Sequence, residues 1–225
     1  MISIIIPCKG ITEASKCIDE CLNLDYDNYE IIVLPDYIQT IPYDSMVRYI
    51  ATGEILPSHK RDIGIKEAKG DIVAFIDSDA YPDRDWLKEA QEALDLHTDF
   101  KVAGVCGPGI IPPDSPEKER TADWILRHLP RSYRVERHPA FFLDDYPTFN
   151  LIFKKEVVKR VGGFSCDFMT GEDTILCKKI CKLGYKILYH PNIVVYHRRR
   201  PVWKPFLKQI SIWGFHTGHF IRKGL

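Results

Sequence analysis

Four short apolar segments in the first half of the chain constrain the fold more than any other feature of the sequence. They are ISIII at residues 2–6, EIIVL at 30–34, DIVAFI at 71–76 and VAGVCG at 102–107. Segments this short and this uniformly apolar are typical of strands that are buried on both faces. They predict a mostly parallel central sheet with helices on both faces.

The segments between these strands have helical periodicity. TEASKCIDECLNL at 12–24 and DRDWLKEAQEALDLH at 83–97 repeat apolar residues at helical spacing. A third helix, SHKRDIGIKEAKG at 58–70, is predicted to begin at a capping Ser58 and to close on Gly70. The alternation predicts an α/β, Rossmann-like fold, in which ligands gather beyond the carboxyl ends of the strands.

The second half is less regular. Residues 110–148 are rich in proline, arginine and aromatic side chains, and long loops of this kind are more often functional than not. Strand and helix patterns return over 149–200, and residues 201–225 form a basic amphipathic segment. We predict one domain over 1–200, with halves at 1–110 and 111–200, followed by an amphipathic helix over 201–225.

Charge and cysteine usage bear on partners and compartment. After Asp173 there are 11 Lys or Arg and no Asp or Glu, although the whole chain has 31 of each sign. A basic end of this kind suggests a diphosphate, a lipid phosphate or a membrane surface as partner, or simply a solvated basic face. The seven cysteines, without a secretory leader, predict buried free thiols and a reducing cytoplasm.

Asp77 and Asp79 follow directly after a buried strand, with Ser78 between them. Such residues cap helices and form turns, which is one explanation. The other is a hard cation, because Mg²⁺ and Mn²⁺ prefer carboxylate oxygens and leave sites for water and phosphate.

Further candidates lie near other element ends. Glu172 and Asp173 begin a predicted helix, where they either stabilise the helix N-terminus or supply a general base. His197 at a strand end is a structural residue or a third metal ligand, and Arg198 and Arg199 after it are candidates for phosphate binding. Arg61 heads a helix that points toward the Asp77 loop.

These motifs together resemble an inverting family 2 glycosyltransferase with the GT-A fold. The matching segments are SIIIPCKG, EIIVLPD, KRDIGIKEAKGDIVAFIDSDAYPDRDWL, NLIFKKEVVKRVGGF and GEDTILCKKICKLGYKILYHPNIVVYH. The resemblance covers roughly residues 1–110 and 148–200. The resemblance implies transfer of a sugar from a nucleotide diphosphate, with Mn²⁺ or Mg²⁺ as cofactor and UDP favoured over GDP.

The resemblance also implies roles for individual residues. Asp173 matches the catalytic base and Glu172 its neighbour, while Asp79, Asp77 and His197 match the metal site. The residues that match the nucleotide-sugar site are Pro7, Cys8, Lys9, Gly10, Asp36, Arg61, Asp77, Ser78 and Asp79. The sequence departs from the family pattern at two places. PDYI has only one acid where the family frequently has two, and RDIG has Asp62 where Asn is usual. Processive members of the family carry a QxxRW motif. The tail of this chain has KQISIWG instead, which argues against polymer synthesis.

The acceptor is less well specified. Trp124, with other aromatic residues of 110–148, is a candidate for acceptor stacking or for the core. A lipid-linked or polysaccharide acceptor is expected, with residues 201–225 resting on the cytoplasmic face of a membrane, or packed on the domain itself. The chain is expected to be a catalytic domain that ends just before a membrane region.

Two other functions compete with this interpretation. One is a sugar nucleotidyltransferase, although no glycine-rich triphosphate loop follows the first strand. The other is a non-catalytic sugar-nucleotide-binding partner, which would have no need of the carboxylate pair at 172–173. A nucleic-acid partner is not expected, because no recognisable binding module is present.

Overall fold

The computed structural model describes residues 1–38, 45–97, 101–164 and 171–202, together with residues 204, 207 and 211. The strands are β1 (Ile2–Pro7), β2 (Tyr29–Leu34), β3 (Val47–Tyr49), β4 (Ile72–Phe75), β5 (Ala80–Pro82), β6 (Val102–Cys106), β7 (Gly109–Ile110), β8 (Phe141–Leu143), β9 (Leu151–Lys154), β10 (Lys186–Tyr189) and β11 (Val195–His197). The helices are α1 (Ile11–Leu22), α2 (Pro57–Glu67), α3 (Trp86–Leu96), α4 (Glu117–Arg127), α5 (Lys155–Arg160) and α6 (Glu172–Lys182).

Eight strands form the central sheet, in the order β3-β2-β1-β4-β9-β6-β10-β8. The pairs β2–β3, β1–β2, β1–β4 and β6–β10 are parallel, whereas β9 runs antiparallel to both β4 and β6. Every residue of β1 is buried, so both faces of the sheet are covered there. The predicted α/β fold with a mostly parallel sheet is confirmed.

A second, three-stranded sheet has the order β5-β11-β7. Its ladder pairs His197 with Ala80 and Tyr196 with Tyr81 in antiparallel register, while Val195 pairs in parallel with Gly109. This small sheet brings the end of β11 next to the turn that follows β4. The sequence did not predict it, because strands of two or three residues carry no periodic signal.

The helix over 57–67 differs from its prediction at both ends. It begins at Pro57, which suits the first helical position because proline has no N–H to satisfy, and Ser58 makes no cap. It ends at Glu67, because Ala68 is extended with φ −60° and ψ 130°. Gly70 does not close the helix. A residue without a side chain is needed there because a Cβ would lie 2.5 Å from the Met1 carbonyl oxygen.

The predicted free thiols are confirmed for the described cysteines. Five are buried and Cys181 is partly buried, and none forms a disulfide. Cys166 and most of the predicted helix over 201–225 lie outside the described residues. Among the described residues, no helix has the length and the apolar character needed to cross a bilayer.

The fully buried side chain of Asn150 connects three segments of the chain. Its amide nitrogen donates to the carbonyls of Gly107 and Ile193, at 2.7 Å each, and its carbonyl oxygen accepts from the indole of Trp86 at 2.8 Å. Gly107 permits the close approach, since a Cβ there would lie 2.2 Å from the Ile193 oxygen. Asn150 therefore fixes the segment that leads into β11.

Replacing Asn150 with alanine is expected to lower the free energy of unfolding by about 3 kcal/mol or more, because several buried polar groups lose their partners. Urea unfolding measures the change. Asn23→Ala is the control: its side chain donates to one exposed carbonyl, and the loss should stay within about 0.5 kcal/mol. Equal stability of the two variants would contradict the role of Asn150.

Candidate active site

The loops that follow the parallel strands β1, β2 and β4 meet at one edge of the central sheet. The loop after β1 contains Cys8, which is buried, and Lys9, which is exposed. Lys9 accepts a backbone hydrogen bond from Asp36 at 3.0 Å, and this contact joins the loops after β1 and β2. Burial raises the pKa of the Cys8 thiol to about 11, so the thiol is neutral at physiological pH.

A buried lysine, which the sequence analysis did not single out, holds these two loops. Lys60 is 3% exposed and donates to the carbonyls of Cys8 (2.6 Å) and Leu34 (3.3 Å). It also forms a short ion pair with one carboxylate oxygen of Asp36. The only signal for it in the sequence is its position beside Arg61 in HKRD.

Asp77, Asp79 and His197 form a group that could hold a metal ion. Their ligand atoms all lie within 4.8 Å of one another, and His197 Nε2 is 3.3 Å from Asp79 Oδ1. The β5–β11 ladder sets this approach, and the ring of Phe149 stacks on the His197 imidazole at 4.9 Å. Carboxylate oxygens are suitable ligands for Mn²⁺ or Mg²⁺, and Asp79, at 66% exposed, leaves room for substrate oxygens.

The charge of Asp79 is stabilised by its surroundings. Partial desolvation raises the pKa of Asp79. The hydrogen bond and charge of His197, together with the charge of Arg200, outweigh this effect and bring the pKa below its ordinary value. Arg200 is exposed and was not among the predicted site residues. Ser78, between the two acids, donates to Glu13 at 3.4 Å.

Arg61 joins the two acidic motifs. It is 4% exposed and donates to Asp77 Oδ1 at 2.8 Å and to Glu172 Oε1 at 3.1 Å. The guanidinium also lies over the ring of Phe164, 5.7 Å from its centre. Residues that are far apart in sequence, at 77 and 172, are thus brought together by one buried cation.

Asp173 follows Glu172 on the first turn of α6, after Gly171 in the left-handed conformation at φ 88°. Burial, followed by the charges of Glu172 and Asp145, raises the pKa of Asp173 to about 7. The backbone N–H of Thr174 donates to Asp173 Oδ1 at 2.8 Å and opposes this rise. A carboxylate with this pKa is suited to accept a proton near neutral pH.

Two of the predicted phosphate-binding residues have other roles. Arg199 is buried and bonds Asp123 at 2.9 Å, and its other nitrogens donate to the carbonyls of His197 and Gly109. Arg198 pairs with Asp114 at 2.7 Å and with Glu119 at 3.4 Å. The donors of Arg199 are occupied by protein groups and Arg198 forms ion pairs, so a role of either arginine in phosphate binding stays a prediction.

Trp124 lies on α4 and is 61% exposed. Its ring contacts His128, one helical turn later, with ring centres 4.4 Å apart. It is therefore not part of the core, which was one of the two explanations given for it. A role in acceptor binding stays a prediction.

Replacing Lys60 with methionine is expected to cost about 3–5 kcal/mol of unfolding free energy, because Asp36 would be left as a partly buried, unpaired charge. Adding Asp36→Leu should restore part of this loss. Chemical denaturation checks both variants. Lys66→Met, at an exposed position of the same helix, is the matched control. A Lys60→Met protein as stable as Lys66→Met would contradict the assignment.

Comparison with known proteins gives three findings about the family and the fold. The model of the family described as "Glycosyl transferase family 2" matches residues 3–162. A dolichyl N-acetyl-alpha-D-glucosaminyl phosphate 3-beta-D-2,3-diacetamido-2,3-dideoxy-beta-D-glucuronosyltransferase of Methanococcus voltae is 30% identical, over 99% of this chain and 74% of the relative. The third finding comes from solved structures.

Two solved structures illustrate the likeness in fold. The mannosyltransferase PcManGT from Pyrobaculum calidifontis, in complex with GDP-Man and Mn²⁺, aligns with a TM-score of 0.60 at 21% identity, over 87% of this chain and 56% of that chain. TarS 1-349 of Staphylococcus aureus, in complex with UDP-GlcNAc, aligns with a TM-score of 0.60 at 17% identity, over 90% of this chain and 59% of that chain. The chain thus spans less than two thirds of either solved protein.

Proposed function

The chain belongs to glycosyl transferase family 2, and from this premise we propose that it is a metal-dependent, inverting transferase that moves a sugar from a UDP-sugar, or else a GDP-sugar, to an acceptor hydroxyl. Enzymes of this family act on nucleotide sugars, and the family assignment favours sugar transfer over nucleotidyl transfer or binding alone. The single observation that supports the proposal most is Arg61, which links Asp77 of the candidate metal site to Glu172, the neighbour of Asp173.

The metal would be held by Asp77, Asp79 and His197, whose ligand atoms lie within 4.8 Å of one another. A bound divalent cation would neutralise the charge that develops on the departing diphosphate. Arg200, which already lowers the pKa of Asp79, is a further cation for the phosphates. Arg61 would hold the Asp77 carboxylate in position through its hydrogen bond to Oδ1.

Asp36 and Lys60 would recognise the nucleotide base. Lys60 bonds one carboxylate oxygen of Asp36, and the other oxygen, which has no hydrogen-bond partner among the described residues, would accept from the base. Uracil offers one N–H donor on its pairing edge, whereas guanine offers two adjacent donors, so this arrangement supports UDP over GDP. The loop of Pro7, Cys8, Lys9 and Gly10 would line the base and ribose.

Asp173 would act as the general base. It would accept the proton of the acceptor hydroxyl as that oxygen attacks the anomeric carbon on the face opposite the diphosphate. Its pKa of about 7 supports this role, because the carboxylate is ionised in part at neutral pH and becomes a stronger base than an ordinary aspartate.

Residues 1–110 would bind the donor and residues 111–200 the acceptor. The Methanococcus relative acts on a dolichyl-linked sugar phosphate, as its name states, and this supports a lipid-linked acceptor here. Such an acceptor would bring the enzyme to a membrane, at its cytoplasmic face, with the basic segment 201–225 on the lipid surface.

The donor is tested by thermal shift with UDP, GDP, CDP and dTDP, each with and without Mn²⁺. One of the diphosphates, at 100 times its dissociation constant, should stabilise the folded protein by about 2.7 kcal/mol. This stabilisation should be seen only when Mn²⁺ is present. Asp79→Asn should lose the shift, whereas Asp85→Asn, an exposed acid shortly after it in the chain, should keep it. A metal-independent shift, or no shift in folded protein, would contradict the proposal.

The base is tested by Asp173→Asn, which should lower the transfer rate by about 10² to 10⁴ and leave the donor shift intact. The wild-type rate should rise with pH up to about pH 7, as Asp173 loses its proton, and this rise should vanish in the variant. Because the pKa is raised in the folded state, the free energy of unfolding falls as the pH rises from 3.8 to about 7, and the loss is complete above pH 7. Asp173→Asn should therefore be no less stable than the wild type at pH 8. An Asp173→Asn variant that transfers sugar at the wild-type rate would rule out Asp173 as the base. The control variant is Asp71→Asn.

A further inference from the structure

A basic segment between α4 and β8 has no part in the function proposed above. Residues 128–138, called here the arginine loop, contain three arginines and one acidic residue, Glu136. The loop includes a short turn of 3-10 helix at Ser132–Arg134 and ends shortly before β8. It is therefore a concentrated source of positive charge within the half of the chain that would bind the acceptor.

The arginine loop is fixed to the core. The hydroxyl of Tyr189 donates to the Glu136 carbonyl at 2.9 Å and accepts from the backbone N–H of His138 at 3.3 Å. The ring of Tyr133 packs edge-on against Phe141, with ring centres 5.2 Å apart. A loop held in this way can present its side chains without a large ordering cost when a ligand binds.

Two arginines of this loop share a single carboxylate. Arg131 and Arg134 both contact Asp145 Oδ2, at 3.0 Å and 2.9 Å. Thr174 donates to the other oxygen, Oδ1, at 2.7 Å. Asp145 thus neutralises only one of the two guanidinium charges. In addition, Arg134 Nε is buried and has no hydrogen-bond partner among the described residues.

Arg131 is placed by an uncommon backbone conformation. Its φ is 72°, in the left-handed region that residues other than glycine rarely adopt. Such a conformation costs energy and persists where surrounding contacts hold it. Its side chain is 56% exposed although it pairs with Asp145, so the guanidinium remains accessible from solvent.

Thr174 connects this arginine pair to the candidate base. Its hydroxyl donates to Asp145, while its backbone N–H donates to Asp173 Oδ1 at 2.8 Å. The charge of Asp145 also contributes to the raised pKa of Asp173. An anion bound to the arginines would therefore be connected through Asp145 and Thr174 to Asp173, the proposed general base.

We propose that Arg131 and Arg134 form a subsite for a phosphate group of the acceptor, which would make the acceptor a glycosyl phosphate whose free hydroxyl reaches Asp173. This inference rests on the proposed function. The planar, forked donors of arginine match phosphate oxygens. The one guanidinium charge that Asp145 does not neutralise matches the single negative charge of a phosphodiester, and Arg134 Nε gains an acceptor.

The test is a binding measurement by calorimetry on the whole chain, saturated with UDP and Mn²⁺ so that the donor site is filled. Three probes carry the same sugar: methyl N-acetyl-α-glucosaminide, N-acetyl-α-glucosamine 1-phosphate and the citronellyl diester of that phosphate. We expect the phosphate-bearing probes to bind the wild type at least about tenfold more tightly than the neutral glycoside. Arg131→Gln should remove this gain, and Arg131→Lys should retain part of it.

The matched control is Arg137→Gln, an exposed arginine of the same loop that is not among the described partners of Asp145. It should keep the phosphate gain. If the diester binds more tightly than the 1-phosphate, the subsite is assigned to a lipid-linked acceptor. If the two bind equally, it is assigned to soluble glycosyl phosphates.

Two results would overturn the inference. They are the absence of a phosphate gain in the wild type, and an Arg131→Gln variant that keeps the gain. The UDP and Mn²⁺ shift is the separate readout of the proposed function. If that shift is present and the phosphate gain is absent, only the acceptor subsite is wrong.

Discussion

The arrangement of the site depends on one buried amide, that of Asn150. By bonding Gly107, Ile193 and Trp86 together, it fixes where the chain enters β11. The antiparallel ladder of β11 with β5 then decides how close His197 comes to Asp79. A fully buried polar group with all its partners satisfied specifies one arrangement, because any displacement leaves costly unpaired donors and acceptors.

Buried cations extend this framework toward the ligand side of the sheet. Lys60 binds the ends of two strands and Asp36, Arg61 binds the acids at 77 and 172, and Arg199 binds Asp123 on α4. Each cation compensates a carboxylate that would otherwise be costly to bury, and each connects segments distant in sequence. The acidic residues at 77 and 172 are thus held beside one another by a single buried positive charge.

The sequence predicts the central sheet well, because its strands are uniformly apolar and alternate with helical patterns. It also identifies Asp77, Asp79 and His197 as candidates, since each lies at or near the end of an apolar segment. It does not reveal Lys60, whose burial depends on two carbonyls far away in the chain, nor the sharing of Asp145 by Arg131 and Arg134. Among the three consecutive arginines, sequence alone favoured 198 and 199, although it is the charge of Arg200 that acts on Asp79.

The three-stranded sheet limits how the molecule can move. Its outer strands, β5 and β7, come from residues 1–110, whereas its central strand, β11, comes from 111–200. β9 and β10 cross the same division in the large sheet, where they pair with β4 and β6. A hinge rotation of one half against the other would break these ladders. A movement that keeps these ladders intact is therefore confined to segments outside them, and a rigid-body rotation of the two halves is disfavoured.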